Sequence, residues 1–122
     1  EMIVEAFAKG DRETLRFLLA EDVYRSFEGE IQSREHNNLE METALEFVRS
    51  ISLIKAEIVK GVIMLTVRFL SEQISVVRDS EGRIVDGDPN ETVVIVDDWT
   101  FSRDPRSDDP NWKLASTTVP SV

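Results

Sequence analysis

The chain has 122 residues, no cysteine, and 24 acidic against 14 basic residues, for a formal charge of -10. That length holds one domain with its own core. The missing cysteines exclude disulfides, thiolate metal sites and cysteine nucleophiles, and the acidic surplus excludes a phosphate-binding basic surface, so no nucleic acid is expected as a partner.

Apolar runs stay short of the roughly 20 residues a bilayer-spanning helix needs, and no signal-peptide pattern is present. Residues 2–9 read as the end of a helix, with Ile3, Val4 and Phe7 on one side and Gly10 as its stop. An apolar helical pattern is already running at Met2, so residues 1–122 are expected to form a single domain of a longer protein with its first helix truncated. Asp11 has the chemistry of an N-cap, and Glu13 adds negative charge to the first turn of a second helix that carries Leu15, Leu18 and Leu19 on one face. Residues 20–22 interrupt it. A third helix is predicted over 23–34, where Val23, Phe27 and Ile31 recur every four positions; Asn37 and Asn38 end it.

Strands follow. Residues 42–58 are rich in β-branched and apolar side chains, and Leu53-Ile54 breaks their alternation, which predicts a bulge or bend. Lys60-Gly61 makes a tight turn. Residues 62–78 form the longest strand candidate, with Val67, Phe69 and Ser71 alternating against Arg68, Leu70 and Glu72. Turns are expected at 79–82 and 86–90, with a short strand at 83–85 between them. Residues 91–103 and 112–118 close the sheet. Helices first and strands afterwards predict an α+β domain with an antiparallel sheet of about four strands. Strands this long, wrapped over a few helices, give a cone-like half-barrel with an apolar pocket.

Alternation in 91–103 puts Val93, Ile95, Asp97, Trp99, Phe101 and Arg103 on one face. The aromatics mark it as the core or cavity side. Asp97 is then a carboxylate on an apolar face, where it needs donors or a raised pKa. It is either a general base, with Tyr24 as the only tyrosine able to assist, or a structural carboxylate. Trp112, Leu114 and Ser116 are expected to share one face of the last strand. The polar loop 103–111 is either a contact tip or a solvated connection.

Other signals are weak. Residues 86–90, with Asp97 at the twelfth place, echo a calcium loop, but its sixth place is Glu91 instead of glycine. Asn90-Glu91-Thr92 matches a glycosylation acceptor. His36 is the only histidine, so no zinc cluster is expected. No glycine-rich phosphate loop is present, and no metal or cofactor is implied.

The motifs Trp99-Thr100-Phe101, Arg103-Asp104 and Asp109-Pro110-Asn111-Trp112-Lys113-Leu114, with Asp97, Val67-Arg68-Phe69 and residues 3–11 upstream, resemble the C-terminal domain of the mitochondrial inner-membrane import translocase subunit 44 family, as found in its bacterial members. The resemblance implies a non-enzymatic, cone-shaped α+β domain (NTF2-like or cystatin-like). It also implies an apolar pocket, expected to involve Phe7, Phe27, Ile31, Phe69, Trp99, Phe101 and Trp112. Mitochondrial members scaffold the chaperone motor at the import channel, and lipid contact in the family is attributed largely to the N-terminal helices of this domain. The function this implies is an inner-membrane-associated scaffold, peripheral or anchored through a missing N-terminal segment, whose pocket binds membrane lipid or a protein segment. Two alternatives stand beside it. A ketosteroid-isomerase-type enzyme or binding protein requires Asp97 and Tyr24 to meet in one pocket. A homodimer would use the sheet face as its interface.

Overall fold

The computed structural model describes residues 2–119. Helix α1 (Met2–Lys9) buries Ile3 and Ala6 and ends at Gly10, whose φ of 73° is the left-handed conformation a glycine adopts without strain. Helix α2 (Arg12–Leu18) is capped by Asp11, which accepts from the Thr14 backbone at 3.2 Å and from its hydroxyl at 2.7 Å. Helix α3 (Glu21–His36) starts two residues earlier and ends two later than the pattern indicates. Between α2 and α3, Leu19 is extended and bridges Leu114, and the Ala20 N–H donates to the Leu114 carbonyl at 2.9 Å. The last strand is thereby hooked to the helices.

The core is small. Ile3, Ala6, Leu15, Leu19, Tyr24, Ile31 and Leu114 are buried together, with Phe7, Leu18, Val23, Phe27, Trp99 and Phe101 packed against them. Phe7 and Phe27 meet edge to face at 5.1 Å. Arg34 closes the end of α1. Its guanidinium donates to the Phe7 and Ala8 carbonyls and lies 4.7 Å over the Phe7 ring.

Five antiparallel strands follow: β1 (Glu40–Val59), β2 (Val62–Arg78), β3 (Ile84–Gly87), β4 (Val93–Arg103) and β5 (Lys113–Thr118). Their order is β1-β2-β4-β5, and β3 pairs with the end of β2. Because β3 pairs with Val76–Arg78 and β4 with Ile63–Gln73, the two occupy successive lengths of the same edge of β2. Five strands therefore lie in four lanes, which reconciles the expected count of about four with the observed one.

Lys60 and Gly61, at φ 52° and 82°, form the tight turn between β1 and β2. The register of β1 shifts between Leu45 and Phe47, between Val48 and Ser50, and between Leu53 and Lys55. Only the last of these is visible in the sequence. Bulges add twist and bend the strand that carries them, so the sheet is open and curled.

Pairing across the sheet assigns its faces. Trp99, Phe101 and Leu114 point to the helices, and their partners Val67 and Leu65 share that side, as do Phe69 and Asp97. The opposite face is held by polar pairs. Thr66 and Thr100 bond at 2.9 Å, Arg68 grips Asp98 at 2.8 and 3.0 Å, and Arg49 reaches Glu72 at 3.1 and 3.2 Å. One expectation fails here. The β4–β5 register shifts after Leu114, so Leu114 opposes Phe101 while Ser116 opposes Thr100. Leu114 and Ser116 lie on opposite faces because one extra residue reverses the alternation.

Candidate functional site

The helices cover only part of the concave face. Contacts from α1 fall on β1, and those from α2 and α3 fall on β5. Beyond α1 the sheet is open. Along β1 the apolar side chains of this face, Val48, Ile51, Leu53 and Ile58, are all exposed, while Phe47 and Val59 oppose Glu72 and Val62 on the other face. Ile51 and Leu53 are each 63% exposed, and Ile58 73%. Single exposed apolar residues are ordinary, but a continuous band of them marks an interaction surface.

Where the band meets α1, a cavity of about 200 Å³ is walled by Val4, Leu45, Val48, Ile51, Phe69 and Trp99, with Ser71, Gln73 and Asp97 as its polar floor. Trp99 stands edge-on to Phe69 at 5.6 Å and continues to Phe101 at 6.3 Å. Gln73 Nε2 donates to Ser71 Oγ at 3.1 Å. A second cavity of about 190 Å³ adjoins it under α1 and adds Ile3, Phe7, Phe27, Met41, Thr43 and Ser75. Val4, Gln73 and Trp99 belong to both.

Asp97 sits on the β4 side of this floor, opposite Phe69. Among the described residues, no donor comes within hydrogen-bonding distance of its carboxylate. Burial pushes the Asp97 carboxyl above its ordinary range, and the charge of Asp98 adds to the effect. Asp98 behaves oppositely. Its bidentate bond to Arg68 holds it below that range.

The seven aromatic and apolar residues expected in one pocket are divided. Phe69 and Trp99 line the first cavity; Phe7, Phe27 and Trp99 line the second. Phe101 packs against the core, and Ile31, 1% exposed, is part of it. Trp112 stands apart from both cavities. It lies just before β5, 37% exposed, and lines neither cavity. The sequence put Val4 on the apolar side of the first helix and Ser71 on the Phe69 face, but nothing in it singled out Leu45, Val48, Ile51 or Gln73. Those on β1 were hidden by its bulges, which break the period-two signal.

The Asp97–Tyr24 pair does not form. Tyr24 is buried beside α2, where its hydroxyl donates to Glu28 at 2.8 Å and accepts from Arg16 at 3.1 Å. The cleft it lines contains Arg16, Arg25 and Lys113, and does not include Asp97. A larger cleft of about 610 Å³ at the end of α1 is lined by Lys9, Arg34, Glu35 and Glu40. There Arg34 is occupied in capping α1, and Glu35 is held by Arg12 at 2.7 Å.

The order of helices and strands, the open curled sheet and the sequence of β4 all fit one family, and the model of the Tim44-like domain matches residues 1–119. The chain belongs to the Tim44-like domain family. The mitochondrial import inner membrane translocase subunits TIM44 of Rattus norvegicus and Homo sapiens are each 22% identical to it over 98% of its length. This Tim44-like chain spans 27% of either relative. Among solved structures, the intermembrane space region of the chloroplast protein ARC6 superposes with a TM-score of 0.57 at 11% identity, covering 99% of this chain and 88% of that one. That likeness is one of fold. Among the described residues of the Tim44-like domain, no helix is long and apolar enough to cross a membrane.

Proposed function

We propose that this Tim44-like domain is a non-enzymatic scaffold module associated with an inner membrane, and that its concave face holds a segment of another polypeptide. Kinship with an import translocase subunit supports the scaffold role. One structural observation supports the binding mode: the apolar band of β1 runs uncovered from the Asp97 cavity to the far end of the strand. An extended or helical segment lying there would bury side chains that now face solvent, which is the main source of affinity in such docking. A lipid chain is the second reading of the same face, favoured by its apolar walls. Neither reading requires an NTF2-like enzyme, since the acid and the tyrosine that such chemistry would use stand in separate cavities.

Flotation with inner-membrane-type vesicles, followed by chemical crosslinking, tests the proposal on the full-length protein. Co-flotation together with a crosslinked polypeptide is the expected result. Absence of both contradicts it.

A further inference from the structure

We propose that the Asp97 cavity receives one lysine or arginine side chain of the bound polypeptide. This rests on the polypeptide-binding reading and adds the chemistry by which the segment is selected.

Asp97 differs from the other described aspartates of the sheet and its loops: Asp86, Asp88 and Asp108 also lack a cation but are exposed, whereas Asp97 is half-buried. Asp98 is held by Arg68, Asp79 by Arg83, and Asp104 by Arg106. Among the described residues Asp97 has no such partner, although it is half-buried beside the apolar wall of the cavity. A carboxylate in that position gains most from a cation brought by a ligand.

The shape fits one side chain. About 200 Å³ lies below the roughly 300–1,000 Å³ typical of small-molecule and cofactor sites. Leu45, Val48 and Ile51 offer an aliphatic wall for the methylene stem of a lysine or arginine. Phe69 and Trp99 offer aromatic rings beside the charged head. Gln73 spends its amide N–H on Ser71, which leaves its Oε1 as a second acceptor at the cavity floor. Among the described residues, no cation lines the site. The linings contributed by α1, β1 and β2 carry no titratable group, and the nearby Asp98 is turned to the other face with Arg68. At the mouth, Ile51 and Leu53 are exposed to receive apolar neighbours of the basic residue. The overall charge of -10 draws a basic segment toward the domain.

A seated cation also reverses the electrostatics of the floor. Burial now favours the protonated Asp97 carboxyl. An ammonium or guanidinium favours the ionised one, so binding strengthens as pH rises through the titration of Asp97.

The test is a titration of the whole chain, with labelled tryptophan, against short capped alanine–leucine peptides. One carries a central lysine; the others carry acetyl-lysine, norleucine or glutamate at that place. The Trp99 indole resonance reports the cavity, and Trp112, outside it, serves as reference. The expected result is a shift of Trp99 alone by the lysine peptide, at least roughly tenfold tighter than with acetyl-lysine or norleucine. Asp97→Asn removes that preference and its pH dependence, whereas Asp97→Glu retains both. Equal binding of all peptides overturns the lysine site and leaves polypeptide binding standing. Binding of none overturns both. A Trp99 shift with phosphatidylcholine vesicles but not with the lysine peptide gives the cavity to lipid and likewise overturns the proposal.

Discussion

Asp97 carries the sharpest consequence at the scale of single residues. Its folded-state pKa is raised, so the native chain keeps this proton to a higher pH than the unfolded chain. Stability is therefore lost as pH rises through that window, and the ionised carboxylate is a net cost at neutral pH. Asp97→Asn is expected to raise the melting temperature at pH 7. The gain should shrink on acidification and vanish below roughly pH 4, where both states are protonated. Thermal melts at several pH values check this; a variant less stable at pH 7 contradicts it. Leu15 and Leu114 show the opposite behaviour. Both are fully buried, so Leu15→Ala or Leu114→Ala should each cost about 2–5 kcal/mol in denaturant unfolding. Leu114 is the more informative of the two, because its backbone also holds the α2–α3 link.

Elements in this fold are shaped by where single residues are inserted. Gly87 ends β3 at φ 84°, and a Cβ placed there would run into the Ser75 carbonyl of β2. Gly87→Ala should therefore cost on the order of 1–3 kcal/mol and loosen β3 first, which hydrogen exchange at residues 84–87 would show. The same feature explains what the sequence reveals and what it hides. The Asp11 cap, the Gly10 stop, the Lys60-Gly61 turn and the whole of β2 were legible, because each depends on local backbone chemistry. The face of β4 was legible too. Its eleven pairs with β2 run without a bulge, so simple alternation put Asp97 beside Trp99 correctly. In β1, three bulges reset the alternation, and the cavity wall of Leu45, Val48 and Ile51 could not be read from period two. The bulge in β5 misplaced Ser116 in the same way, and Trp112 fell outside the strand. Which helical residue lies over which strand depends on long-range packing, and that is why the expected pocket divides into two cavities and a core.

At the scale of the whole molecule, the buried core and the uncovered face are separate. Leu15, Ile31 and Leu114 sustain folding at the closed end, while the exposed residues of β1 contribute little to it. Ile51→Asp and Leu53→Asp should each change stability by no more than about 0.5 kcal/mol, yet abolish partner capture. If that apolar band instead sealed a homodimer, sedimentation would show the dimer and the two substitutions would dissolve it. A monomer is expected, since copies carrying a charge of -10 repel one another.

The most direct measurement is site-resolved photo-crosslinking in the full-length protein. A photoreactive residue is placed at Ile51 on the concave face or at Val94 on the opposite face, both exposed positions. Polypeptide adducts are expected from Ile51, lost when Asp97 is replaced by Asn, and few from Val94. Equal yields from the two faces, or adducts only from Val94, would contradict docking on the concave face.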